Sequence, residues 1–206
     1  MSSAAVQPRY TSDQYLALER KADYKSEYIN GHIVAMAGAS RQHNLIASNL
    51  CREVSQQLRG RPCEAYISDM RVKVSHTGLY TYPDVVIACG EIQFEDTETD
   101  TLLTPTVIVE VLSPSTEAYD RGEKFAHYRR LASLQDYLLV AQDKVRIEHY
   151  VRQGDQWILS EVNGLNDTLH LAAVDCTIAL QDVYDKVQFV EGDASPSPDP
   201  DPESVG

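Results

Sequence analysis

Two carboxylates stand inside short runs of apolar, β-prone residues. Asp84 belongs to Pro83-Asp84-Val85-Val86-Ile87-Ala88, and Glu110 to Thr106-Val107-Ile108-Val109-Glu110-Val111-Leu112. Each run reads as a strand, so any fold of this chain must place an acid in or beside its core twice. Even a neutral polar group left unpaired in such surroundings costs about 2–7 kcal/mol. Two acids on consecutive strands point to one shared compensator, and a divalent cation held by oxygens is the economical one. The alternative is that backbone amides or an arginine satisfy each acid separately.

The chain has 206 residues, which fits one domain within the usual range of about 50–250. No stretch approaches the roughly 18 apolar residues of a membrane span. The start, Met1-Ser2-Ser3-Ala4-Ala5-Val6-Gln7-Pro8, has neither a basic nor an apolar export segment, so a cytoplasmic protein is expected. Cys51, Cys63, Cys89 and Cys176 are scattered with no CxxC and no His at zinc spacing, and read as four reduced structural thiols. The formal net charge is −13. Residues 191–206 hold five acids and no base, and removing those five charges leaves −8 for residues 1–190. That sign counts against a nucleic-acid partner, because phosphate contacts need Lys and Arg. Arg121, Lys124, Arg129 and Arg130 are close enough in sequence to form a local basic strip.

Thr11 and Gln14 form a capping-box pattern, which predicts a helix over residues 12–22. Asn30-Gly31, between Glu27-Tyr28-Ile29 and His32-Ile33-Val34, predicts a hairpin with a type I′ turn. Ile46, Leu50, Val54 and Leu58 recur every four residues in a second helix, over about 40–59, closed by Gly60. Strands follow at 64–68, 70–75 and 84–89, then an acidic loop over 91–100 and a strand at 106–112. A helix over about 116–131 leads to a strand at 136–141, which makes that crossover parallel and right-handed. A hairpin at 145–151 and 156–162 and a short helix at about 180–187 complete the pattern. The class is α/β (α+β), with a mixed β-sheet. A flexible start (1–10), one domain (11–190) and a disordered acidic tail (191–206) are expected.

Asp120, Lys124 and Tyr128 are spaced four apart on the predicted helix after strand 106–112 and share one face. That helix begins beside the carboxyl end of the strand, where ligands of open α/β sheets bind. Lys124 can then reach a metal or its attacking water; an ordinary exposed ion pair with Asp120 is the alternative. The divided motif Pro83-Asp84…Glu110 resembles that of the PD-(D/E)xK nuclease superfamily. A longer string is more specific: Glu27-Tyr28-Ile29-Asn30-Gly31, His43, Tyr82-Pro83-Asp84-Val85, Val109-Glu110-Val111-Leu112-Ser113-Pro114-Ser115-Thr116, then Asp120, Lys124 and Tyr128. It is similar to the bacterial family of putative restriction endonucleases that carry this Glu-Val-Leu-Ser-Pro-Ser-Thr segment. The likeness runs over roughly residues 10–190.

The resemblance implies a restriction-endonuclease-like mixed sheet flanked by helices, with Mg²⁺ (or Mn²⁺) as cofactor and DNA as substrate. It implies Asp84 and Glu110 as metal ligands and catalytic residues. The superfamily lysine stands two residues after the second acid, where this chain has Leu112, so the resemblance implies a migrated lysine at Lys124. Glu27 would be a third carboxylate, or else a solvent-facing strand residue. His43 would bind phosphate, support an acid, or bond a backbone carbonyl. Tyr128 would hydrogen-bond Glu110 or pack in the core. The expected activity is metal-dependent DNA phosphodiester hydrolysis. A catalytically inactive binding or assembly protein with the same fold, and a hydrolase of small phosphate esters, are the alternatives. The hairpin strands and twelve tyrosines permit a homodimer.

Overall fold

The computed structural model describes residues 8–189; residues 1–7 and 190–206, which include the acidic tail 191–206, lie outside them. Helix α1 (Ser12–Glu19) opens with the expected capping box: the Thr11 side chain accepts the Gln14 amide, and Gln14 accepts the Thr11 amide in return. Strands β1 (Ser26–Ile29) and β2 (His32–Ala35) form the hairpin, with Asn30 and Gly31 at φ of 51° and 88°. Positive φ at both central residues is what a type I′ turn demands and what Asn-Gly supplies cheaply. Helix α2 (Arg41–Gln57) is capped by Ser40, whose hydroxyl accepts the His43 amide. Its Ile46, Leu50 and Val54 are fully buried.

Strands β3 (Cys63–Ile67), β4 (Arg71–Val74), β5 (Leu79–Thr81), β6 (Val85–Cys89), β7 (Thr101–Leu102) and β8 (Val107–Val111) follow. Next come α3 (Glu117–Tyr119), a π turn (Asp120–Lys124) and α4 (Phe125–Tyr128), then β9 (Asp136–Val140) and the hairpin β10 (Ile147–Gln153) and β11 (Gln156–Val162). A second hairpin, β12 (Thr168–Leu171) with β13 (Cys176–Ala179), and helix α5 (Leu180–Val183) end the fold.

The mixed α/β expectation holds, but the strands divide between two mixed sheets and a separate hairpin. Six strands run in the order β11-β10-β9-β8-β6-β3, antiparallel except for the parallel β8–β9 pair that the intervening helix predicted. Five run β2-β1-β5-β4-β7. Alternation along the central strands of the six-stranded sheet decides what each face meets. Val85, Ile87, Val107 and Val109 face a core completed by α2, β12, β13 and α5. Val86, Ala88, Ile108 and Leu112 face a second core shared with β4, β5 and α4. Glu110 has the parity of Ile108 and Leu112, so it enters from that second side.

Several expectations are corrected. The helix over 116–131 is shorter and broken by a π turn, the 12–22 helix stops at Glu19, and the 180–187 helix stops at Val183. Strands β5, β7, β12 and β13 went unseen, being two to four residues long and too brief for an alternation signal. The four cysteines are not all thiols: the antiparallel register of β3 on β6 sets Cys63 opposite Cys89, and the two form a disulfide. Cys51 and Cys176 are free. A pairing across 26 residues depends on strand register, which no local pattern reports.

The acidic loop is tied down rather than merely solvated. Arg20 donates to Asp96 and to both oxygens of Asp100, and the buried Arg71 pairs with Asp100 at 2.9 Å. Hydrogen bonds from Arg20 hold the Asp100 carboxyl well below its ordinary value of 3.8. Stability linked to a lowered carboxyl is present above the unfolded pKa and lost as pH falls through the folded one. Asp100→Asn is therefore expected to melt below wild type at pH 7, with the two melting curves converging in strong acid. A gap in melting temperature that stays constant down to pH 2 would contradict this.

Candidate functional site

A cleft of about 890 Å³ opens between the β1–β2 hairpin, the start of α2, the β8 end and the π turn. Glu27, His43, Asp84, Glu110, Asp120 and Lys124 all line it. The register that pairs Val85 with Val109 and Val86 with Ile108, extended by one residue, puts Asp84 beside Glu110. Two acids separated by 26 positions thus become cross-strand neighbours.

Around Glu110 the side chains form one buried cluster. Lys124 reaches it from the π turn, with Nζ 3.0 Å from Glu110 Oε1, 3.3 Å from Glu27 Oε1 and 3.6 Å from Asp120 Oδ1. The Tyr128 hydroxyl donates to Glu110 Oε1 at 2.7 Å, and the Thr81 hydroxyl donates to Glu27. Glu110 and Lys124 are only 4% and 5% exposed. The helix supplies Asp120, Lys124 and Tyr128 to one face as their spacing predicted. The Tyr137 hydroxyl donates to the Asp120 carbonyl at 3.0 Å, which anchors the start of the π turn to β9. Single π turns recur at functional sites, where they re-aim side chains out of a helix.

Asp84 makes a separate set of contacts. Its Oδ2 accepts the Val111 amide at 2.7 Å, and its Oδ1 lies 2.8 Å from His43 Nε2. The carboxylate thus extends the β6–β8 ladder one residue ahead of the start of strand β6. His43 supports an acid, as one of its expected roles had it, and is itself positioned by the Ser40 cap.

Charge in the cleft is unbalanced. Glu27, Asp84, Glu110 and Asp120 line the cleft as four acids. Of its two lysines, Lys124 is the one that reaches Glu110, Glu27 and Asp120, while Lys25 bonds Ser68 and Asp69 at the edge. Burial raises the Glu110 carboxyl well above its usual range against the pull of Lys124, and the Asp120 and Asp84 carboxylates push the same way. Burial likewise raises Asp120, opposed by Lys124 and reinforced by Asp84 and Glu27. For Lys124, burial alone would favour the neutral amine. The attraction of Glu110, Glu27 and Asp120 outweighs it and holds the proton on.

The donors present are hard oxygens with surplus negative charge, the chemistry a divalent cation requires. The buried Tyr119 hydroxyl, which lines the same cleft, also lacks a hydrogen-bond partner among the described residues. Among the described residues, however, no three His, Cys, Asp or Glu side chains gather closely enough to hold an ion by themselves.

The structure brings Glu27, Glu110, Asp120, Lys124 and Tyr128 together, and sets Asp84 with His43 beside them. Glu27 is buried, not solvent-facing. Tyr128 both packs in the core and bonds Glu110. Leu112 packs in the apolar core below Glu110, so a lysine there would have been costly. The basic strip is reduced: Lys124 is buried and Arg121 is taken up by Glu117 and Glu148, while Arg129, over the Phe125 ring, and Arg130 remain exposed. The cleft residues Tyr119 and Lys25, and the buried Thr81 that bonds Glu27 behind it, were not singled out by the sequence. Thr81 and Tyr119 stand one residue from quoted motif positions, and only that nearness signalled them.

A family model described as Uma2, putative restriction endonuclease, matches residues 12–181. Two uncharacterized proteins of Synechocystis sp. are similar to the chain. Protein sll1609 is 41% identical over 157 residues, covering 76% of this chain and 89% of its own. Protein slr1290 is 36% identical over 189 residues, covering 91% and 98%. The crystal structure of a putative nuclease belonging to DUF820 from Anabaena variabilis shares the fold, with a TM-score of 0.70 at 19% identity over 84% of this chain and 97% of that one. No described helix is long and apolar enough to cross a membrane.

Breaking a buried ion pair on one side costs about 3–5 kcal/mol, because the remaining charge is stranded. Lys124→Met is expected to lose roughly that much in urea unfolding at pH 7, and adding Glu110→Gln is expected to recover part of it. Strict additivity of the two substitutions would show that the pair is not coupled.

Proposed function

The chain belongs to the Uma2 family of putative restriction endonucleases, and on that premise we propose a metal-dependent endonuclease that hydrolyses DNA phosphodiester bonds at the cleft around Glu110. The observation that carries this is the Lys124 ammonium 3.0 Å from Glu110. It supplies from a helix the cation that the superfamily pattern takes from the position of Leu112. An ammonium on a four-carbon stem can reach one point from different backbone origins.

Asp84 and Glu110 would hold the Mg²⁺ or Mn²⁺, which when bound lowers the pKa of water and offsets charge at phosphorus. Tyr128 fixes Glu110 through its hydroxyl, and His43 and the Val111 amide fix Asp84. Glu27 and Asp120 hold Lys124 in place. The part of Lys124 is to donate to the attacking water or to a phosphate oxygen and to neutralise charge. In the net reaction a water oxygen bonds to phosphorus, one ester P–O bond breaks, and a water proton ends on the departing sugar oxygen.

One observation favours a second reading, an inactive binding or assembly protein of the same fold. Three carboxylates within 3.6 Å already saturate Lys124. The two readings separate in one assay. Wild type is incubated with linear, supercoiled and branched DNA in Mg²⁺, Mn²⁺ or EDTA, beside Asp84→Ala and Lys124→Ala. Nicking that needs the metal and falls at least about 10²–10³-fold in both variants is expected. Silence on all three DNA forms would favour the second reading, and cutting that survives Asp84→Ala would place the activity elsewhere.

A further inference from the structure

We infer that the DNA enters this cleft as a single strand, with an unpaired base packed on an apolar wall formed by Val34, Met36 and Ile67; this rests on the nuclease reading above. Three features of the cleft support it. The first is its charge. The basic side chains among its described lining residues are Lys25, His43 and Lys124, with no arginine. Lys124 is committed to three carboxylates and His43 to Asp84, which leaves Lys25 as the outward cation. Lys25 itself donates to the Ser68 carbonyl and to Asp69 at the cleft edge. A duplex is held largely through phosphate contacts from Lys and Arg, and the described lining of this cleft offers few of them.

The second feature is depth. Glu110 and Lys124 are at most 5% exposed, at the bottom of a cleft of about 890 Å³. That volume falls in the range of about 300–1,000 Å³ typical of sites for small molecules. A flexible strand can thread a phosphate to such a depth; a stacked, paired duplex holds its phosphates on a stiff cylinder.

The third is the wall. Val34 is 48% and Ile67 42% exposed, two of the exposed large apolar residues of the fold, and both line the cleft. The segment Val34-Ala35-Met36-Ala37-Gly38-Ala39, which also lines it, carries no charge. An uncharged wall above a phosphate-directed centre matches a splayed nucleotide, whose base face is apolar and whose backbone is anionic. Enzymes that accept unpaired nucleotides also avoid the cost of unstacking a paired one.

The test uses the full chain with Mn²⁺ and three end-labelled DNAs of one sequence: a single strand, a blunt duplex, and a duplex with a single-stranded flap. The single strand and the flap are expected to be cut at least roughly tenfold faster than the blunt duplex, with flap cuts in or beside the unpaired part. Val34→Asp is expected to raise KM for the single strand roughly fivefold or more. Ile67→Asp gives the same readout should the first variant fold poorly, as judged by its melting curve. Equal or faster cutting of the blunt duplex would overturn the single-strand inference and leave the nuclease reading standing. Absence of cutting on all three would overturn both. Unchanged KM in both folded variants would remove the apolar wall from the account.

Discussion

The structure turns on one ammonium group. Lys124 is buried, and a buried lysine keeps its charge only when opposing charge surrounds it. Here the opposing groups come from three places: Glu27 from the five-stranded sheet, Glu110 from the six-stranded sheet and Asp120 from its own helix. The same contacts that make a candidate catalytic centre therefore join the two sheets. Thr81 and Tyr128 extend this joint by hydrogen bonds to Glu27 and Glu110, so both sheets and α4 meet at the lysine.

The site departs from the rules that govern the rest of the core, and does so in one direction. Under α1, by contrast, Glu19 accepts from Ser26 and Tyr82, and Arg71 donates to Tyr82 and Thr101, so that acid is met by several donors. In the cleft four acids meet one buried lysine, Lys124, and burial raises Glu110 and Asp120 against its pull. Local violations of this kind concentrate where a protein binds something. The surplus carboxylate charge is the imbalance a bound cation would correct.

Much of the fold was legible because its signals are local. Thr11 with Gln14, Asn30-Gly31 and the four-residue repeat of Ile46, Leu50, Val54 and Leu58 each encode their element through nearby contacts. Of the site, the acids Asp84 and Glu110 were visible as charges in apolar strands. The common face of Asp120, Lys124 and Tyr128 followed from helical spacing. Thr81 and Tyr119 were not visible, since a hydroxyl in a short strand or a helix turn carries no mark of its tertiary neighbour. The Cys63–Cys89 bond was hidden for the same reason.

By itself the sequence determined most of the helices and the longer strands, where acids interrupt apolar runs, and that residues 1–190 are too acidic for broad phosphate binding. The tertiary structure alone decided the rest. It set the β6–β8 register that brings Asp84 beside Glu110, it split the strands into two sheets, and it buried Glu27 against Lys124. Secondary structure follows from contacts a few residues apart, whereas register and sheet packing are settled by the burial of whole faces at once. The meeting of Lys124 with Glu110 above a buried Leu112 belongs to that second kind.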